Sequence, residues 1–452
     1  MWLSNRDSLG WYQRYLLGIK AHQDMKVIEI QKCEDILFTI LDRVQQQDNR
    51  FQVDYSRELA CFEYTLRTEF DELDMEVPLW FNDMSLRIEE SCDTPYTIDG
   101  ITHQTLTRKG YVYLAVPKES ESKWLGSDIF HWLSKSSQCS GHIVPGKIIN
   151  ILKELLKGAI VYCEQNFLLK PGDVDASLLN FDGPRITLLL RNLIKPLRVN
   201  IIPIVRRAVE KYLGNGNQNE KIFSESIKQA TLMNIDISNG TYYHWRFCFE
   251  RPIKKLLEEA DADGGHRLDS LCLLDRIKSD HWLPEKHKRG LTFKQLQMVL
   301  LWAMKFFPSS EDWVDLESSV YRILVVLLRC LVLRNLPNYF VHEINIFHED
   351  YQPQFDFQTV YKKVEEFASF PEKCLQIHLT HLLPTQTRHI DSYVKMLLQI
   401  QDAEGLYWNT AYFDIILNKF QVYHVQDPDR IGAMQLMWSK TTKLVTDEGC
   451  SS

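Results

Sequence analysis

The sequence predicts an α+β fold, on three observations. In the first 210 residues, apolar runs with strand character lie at irregular spacing among helical ones. A polar stretch rich in Gly and Asn, KYLGNGNQNEK at 211–221, then breaks the pattern. Beyond it, nearly every segment repeats its apolar residues at the period of a helix. A chain of 452 residues exceeds one ordinary core and is expected to divide into two or three domains.

Taken in order, the first element is a helix over 26–48, where Val27, Ile30, Ile36, Leu37, Ile40, Leu41 and Val44 recur at helical spacing. LDMEVPLWF at 73–81 reads as a strand. Leu73, Met75, Val77, Leu79 and Phe81 fall on one face, and Asp74, Glu76 and Trp80 on the other. GYVYLAVP (110–117), PRITLLLRN (184–192) and LRVNIIPIVRR (197–207) read as further strands. Between them, 145–166 reads as a helix, with Pro145 outside its start. After the polar break, helices are expected at 246–260, 266–278, 291–307, 312–334, 356–369, 390–402, 408–420 and 427–443. Over 408–420, Trp408, Tyr412, Phe413, Ile416, Leu417 and Phe420 form a stripe too large to leave bare, so the tail is expected to pack.

Composition excludes several classes. With 60 acidic against 52 basic residues the net charge is −8, which argues against a general nucleic-acid binder. The ten cysteines include no C-x-x-C pair, so they read as reduced thiols of an intracellular protein. The first twenty residues lack a basic start followed by an apolar block, and no signal peptide is expected. The most apolar stretch, 321–336, is interrupted by Arg329 and Arg334 and reads as a buried helix, not a membrane span.

The strongest chemical signal is the acid pair. Two carboxylates on one strand face, with a third on a neighbouring strand, are what metal-dependent nucleotidyl transfer needs to hold its divalent ions. Asp74 and Glu76 supply the pair. On the partner strand, Arg198, Asn200, Ile202 and Ile204 share a face, and nothing acidic occurs between Asp182 and Glu210. Asn200 is therefore the one candidate third ligand, and an amide brings no charge. The phosphate side is also thin: no glycine lies between Gly18 and Gly100, and Ser56 is flanked by Tyr55 and Arg57. Other constellations read as structural. GNGNQN (214–219) is a linker turn, and His342, Glu343, His348 and Glu349 lack the spacing of a zinc helix. His266, Cys248 and Cys272 read as a histidine at a helix start and two buried thiols.

These residues resemble the mab-21-like family, within the wider group that includes cyclic GMP-AMP synthase. The resemblance is carried by DMEVPLW at the acidic strand and by ITLLL with LRVNIIPIV at the third-acid strand. YYHWRFCFE (242–250) stands at the entry to the helical lobe, and the block with Trp302, Phe307-Pro308, Asp312-Trp313 and Leu336-Pro337-x-Tyr339-Phe340 is the most specific. It implies a bilobal nucleotidyltransferase-like fold with an N-terminal spine helix and a mostly α-helical C-terminal lobe. Expected domains are 1–215 (the α+β lobe with the spine), 216–350 (the helical lobe) and 351–452 (a helical extension packed on that lobe).

Catalytic members of the wider group carry Gly-Ser before the acid pair and a third acid. Here both are missing, and the synthase's zinc insertion has no counterpart between 250 and 272. The expectation is thus a non-catalytic protein acting through protein partners in cell differentiation or development. Asp74 and Glu76, with Asn200 at the third-acid position, are then a vestige, lying in a wet cleft or paired with a basic side chain such as Arg185 or Arg198. No cofactor, resident metal, membrane or nucleic-acid partner is expected, and the compartment is the cytoplasm with the nucleus as a second. The alternative is a metal-dependent nucleotidyltransferase, or a nucleotide or nucleic-acid sensor, that holds Mg²⁺ through Asp74 and Glu76.

Overall fold

A computed structural model describes residues 10–20, 23–55, 66–67, 72–81, 86–90, 96–98, 101–103, 111–132, 139–180, 186–191, 193, 196–206, 231–234, 244–347, 354–375, 390, 392–400, 405–420, 425 and 427–449. The chain mixes helices and strands and forms two compact units. A sheet unit takes in 25–64 and 70–256, and a helical unit takes in 1–24, 65–69 and 257–452.

The sheet unit is built on β1 (Glu72–Pro78), β2 (Arg87–Glu90), β5 (Tyr111–Pro117), β6 (Phe130–Trp132), β7 (Cys139–Ile143), β8 (Val174–Asp175), β9 (Ile186–Leu190), β10 (Leu197–Arg206), β11 (Thr231–Asn234) and β12 (Trp245–Cys248). Their order is β6-β7-β5-β12-β11-β10-β9-β8, with β1 joined to β10 and β2 to β5. β3 (Tyr96–Ile98) and β4 (Ile101–His103) form a separate hairpin. The β1–β10 pairing is parallel and sets Asp74 opposite Asn200. β9 flanks β10 on its other side and sets Thr187 opposite the same Asn200. Alternation along β1 follows the sequence: Leu73, Met75 and Val77 are buried, Glu72 and Glu76 are half-buried and Asp74 is exposed.

Two helices of this unit pack together. On α2 (Gln23–Gln47), Ile30, Cys33, Leu37, Ile40 and Val44 are fully buried. On α3 (Pro145–Gln165), Ile148, Leu152, Leu156 and Cys163 are likewise buried. Pro145 opens α3 where its missing N–H costs nothing. Arg43 of α2 stacks 3.8 Å over the ring of Tyr162.

The expected boundary at 215 falls inside the sheet unit. β11 and β12 come after it, yet Ile204 of β10 pairs with Met233 and Trp245 of β12 pairs with Val112 of β5. The polar stretch thus separates two strands of one sheet, and the division lies at Leu256/Leu257. For the same reason the helix expected over 246–260 begins as strand β12, whose WRFC suits a pleated surface, and becomes α4 only at Glu250–Glu258. At the other end, α1 (Trp11–Lys20) belongs to the helical unit, where Tyr15 donates to Asp280.

The helical unit continues with α5 (Arg267–His281), α6 (Phe293–Phe306), α7 (Leu316–Leu333), α8 (Phe357–Ser369), α9 (Ser392–Gln399), α10 (Thr410–Lys419) and α11 (Pro428–Gly449). Local chemistry sets several starts: Thr292 and Gln295 form a capping box, and Asp315, Asp356 and Asn409 each accept from a backbone N–H of the first turn. Helix α7 is its core: from Leu316 to Leu331 every residue but Glu317 is buried. Arg322 and Arg329 are buried with it. Arg322 meets Asp312 at 3.1 Å. Arg329 donates to the carbonyl of Leu398 at 2.7 Å, one of the orphan acceptors that end α9.

The tail packs within this unit. Trp408 lies edge-on to Trp302, Phe306 and Phe413 at 5.5, 5.2 and 5.4 Å. Tyr412, Phe413, Ile416, Leu417 and Phe420 are buried. Arg430 of α11 bonds Asp312 at 2.9 and 3.0 Å and Asp414 of α10 at 2.9 Å. Among the described residues, no helix is long and apolar enough to cross a membrane.

Candidate functional site: a row of carboxylates on the first strand

Because side chains alternate, Glu72, Asp74 and Glu76 stand in a row on one face of β1. Three like charges on one face repel unless donors or cations face them. The parallel register brings Asn200 to this row, and its amide donates to Glu72 Oε1 at 2.6 Å and to Asp74 Oδ1 at 2.7 Å. The Asn200 oxygen accepts from the Thr187 hydroxyl at 2.9 Å, across the other register. The reverse amide orientation would set its oxygen against two carboxylate oxygens, so the network fixes the N–H groups on the acids.

Glu76 is met by a guanidinium. Arg251, one residue into α4, donates from Nε to Glu76 Oε2 at 3.2 Å and from Nη2 to Asp54. The three side chains keep 23%, 16% and 18% of their surface exposed, enough shelter for the pair to outweigh an open surface contact. Desolvation pulls the Arg251 guanidinium below its usual value, which leaves it charged at neutral pH. The Cys248 thiol lies 3.9 Å from Glu76 Oε1. Trp80 ends the strand fully outward at 63% exposure.

The structure brings Asp74 and Asn200 into contact, with Glu76 on the same strand face, and adds Arg251 as a basic partner of Glu76. Arg198 stands opposite Glu72 with its side chain exposed, and Arg185 lies outside the described residues. Ser56, which would precede a phosphate-binding turn, also lies outside them. Of the other constellations, His266 stands at the N-cap position of α5 with its ring 3.0 Å from the Asp269 carboxylate, and His342 tilts against Trp302 at 5.1 Å. His348 and Glu349 are outside the described residues.

Comparison with known proteins agrees with the helical unit first. Residues 268–366 match the Mab-21 protein HhH/H2TH-like domain. The chain is 29% identical over 242 residues to protein mab-21-like 3 of Xenopus laevis, covering 51% of this chain and 63% of that protein. It is 24% identical over 279 residues to protein mab-21-like 3 of Danio rerio, covering 60% of this chain and 69% of that one. The chain is thus similar to mab-21-like proteins and carries the Mab-21 HhH/H2TH-like domain over 268–366.

Glu72, Thr187, Arg251 and its second partner Asp54 are parts of the row's network that were not singled out from sequence. Glu72 extends the alternation by one step and was legible in E-L-D-M-E had the strand been started one residue earlier. Thr187 and Arg251 carry no local signal, because register and the strand-to-helix turn at 248–250 bring them in. The coarse consequence is chemical. Opposite Asp74 the chain has, in Asn200, a group that gives two hydrogen bonds to the acids and turns its own oxygen away from them.

Proposed function

We propose that this mab-21-like protein is a degenerate nucleotidyltransferase that transfers no nucleotide and acts through protein–protein contacts, in the cytoplasm and nucleus, in regulating cell differentiation. On this reading the sheet unit is the nucleotidyltransferase-like lobe of a bilobal fold. The helical unit is the mab-21 C-terminal lobe, with 351–452 as its extension.

One observation carries the proposal. Asn200 occupies Glu72 and Asp74 as a double donor while Thr187 holds its oxygen, and Arg251 occupies Glu76. A two-ion site needs carboxylate oxygens converging on the ions, and a third acid to balance the second ion's charge. Here neutral N–H groups and one guanidinium take that place. The test is the purified full chain with Mg²⁺ or Mn²⁺ and nucleoside triphosphates. The expected result is no product above background, with the same partners recovered by wild type and by Asp74→Ala/Glu76→Ala. Product formation abolished by Glu76→Ala would establish the alternative, a metal-dependent nucleotidyltransferase working through Asp74 and Glu76.

A further inference from the structure

A second group of side chains in the sheet unit converges on one point. Glu89 of β2, Cys139 of β7 and His142 of β7 bring Oε2, Sγ and Nε2 together. Sγ lies 3.8 Å from Oε2 and 3.8 Å from Nε2, and Oε2 lies 4.0 Å from Nε2. The centre of such a triangle is about 2.2 Å from each corner, inside the ~2.0–2.3 Å range of zinc bonds to oxygen, nitrogen and sulfur.

The fold builds this convergence by a local irregularity. Residues three apart on a regular strand point to opposite faces, so Cys139 and His142 should diverge. A bulge prevents it: Val116 of β5 pairs with Gly141 and Pro117 with Cys139, leaving Ser140 as the extra residue. Cys139 is thereby returned to the face of His142, which pairs with Ala115. Glu89 pairs with Tyr113 from the other side of β5, and Tyr113, Ala115 and Pro117 share one face. Ala115, between them, is too small to separate the glutamate from the imidazole. Gly141 is required beside the bulge, since a Cβ there would lie 2.1 Å from the His131 carbonyl oxygen. Tyr113 stacks on His142 at 4.4 Å and 13°, which sets the plane of the imidazole.

We propose that Glu89, Cys139 and His142 bind one zinc ion, with water in the fourth position. A thiolate, an imidazole and a carboxylate suit this borderline-soft ion, and a thiolate disfavours Mg²⁺ or Ca²⁺. The Glu89 side chain, 35% exposed, leaves the fourth position reachable by solvent, while Cys139 is buried. A nucleophile triad is a poorer reading of the same residues. There the thiol and the carboxylate meet opposite nitrogens of the imidazole, whereas here both face Nε2. The site lies on strands other than β1 and is independent of the carboxylate row.

The test uses the full chain, stripped of metal by dialysis against a chelator and then titrated with Zn²⁺ or Co²⁺ alone. Expected are one equivalent of zinc by elemental analysis and a thiolate-to-Co²⁺ charge-transfer band that Cys139→Ser removes. Glu89→Gln, on a short outer strand, keeps the fold by circular dichroism. It should weaken zinc binding by at least the ~10–100-fold that losing a mere outer partner costs. Cys374→Ser should leave both readouts unchanged. No stoichiometric uptake by wild type would overturn the proposal, as would uptake and a charge-transfer band that survive in Cys139→Ser, His142→Gln and Glu89→Gln alike.

Discussion

The carboxylates of β1 and the pair Asp312 and Asp414 of the helical unit solve the same problem in opposite surroundings. On β1, acids that stay partly wet are met by an amide and a single guanidinium at the strand's edge. In the helical unit, Asp312 and Asp414 keep none of their side-chain surface and are met by Arg322 and Arg430. The first arrangement stands out in the sequence as a row of acids, and in the structure those acids meet an amide and a guanidinium. The second carried no sign in the sequence that its acids and arginines meet, and it ties the tail to the core. Acids gathered by sequence spacing advertise themselves, whereas acids gathered by packing matter more to stability because no water stands in for a lost partner.

That contrast is open to attack in four steps of falling size. Truncation near residue 385 removes α9, α10 and α11, and with them the cover of Tyr412, Phe413, Ile416 and Leu417. Four such side chains contribute roughly 6–12 kcal/mol before entropy, so the shortened chain should aggregate or unfold at far lower denaturant. A soluble, equally stable product would show that the tail is a docking element instead. Next, Asp312→Ala removes the carboxylate that faces the fully buried Arg322 and one of the two that Arg430 bonds, leaving Arg430 its contact with Asp414. It should cost about 3–5 kcal/mol in chemical unfolding monitored by tryptophan fluorescence. A loss under ~1 kcal/mol would place this network with ordinary surface pairs.

On the sheet unit the same kind of change should matter less. Arg251→Ala should cost about 1–2 kcal/mol, since Glu76 and Asp54 are sheltered but reach water. The smallest effect belongs to the Asp175 carboxylate at the outer strand. The Ser177 backbone N–H, then the Ser177 hydroxyl and Arg191, hold it at about 2. The ordinary value of the group is 3.8, so its contribution is present above that pH and is lost as pH falls through about 2. Asp175→Asn should lower the melting temperature slightly at neutral pH, flatten the profile between about pH 4 and pH 2, and leave the protein unchanged below that range.

The comparison also shows what sequence can carry. Periodicity places α2, α3 and α5 to α11 within a few residues, because an apolar stripe at helical spacing must be buried somewhere. The strands β1, β5, β9 and β10 were legible for the same reason at a period of two. Short β11 and the WRFC of β12 were not, since only their neighbours in the sheet make them strands. Asp74, Glu76 and Asn200 were legible as a group, while Thr187 and Arg251 depend on register and a turn. Arg329 reads in sequence as a break in an apolar run, and the structure turns it into the donor that closes α9. The Glu89, Cys139 and His142 cluster was invisible, because a one-residue bulge decides which face the cysteine joins.

The central claim is that the β1 row is filled by protein donors and does not hold divalent ions. Mn²⁺ titration of the full chain, read by electron paramagnetic resonance on wild type, Asp74→Ala and Asn200→Asp, tests it most directly. The account expects no Asp74-dependent Mn²⁺ in wild type and a gain of such binding in Asn200→Asp, where an acid replaces the double donor. Stoichiometric Mn²⁺ on wild type that vanishes in Asp74→Ala would contradict it.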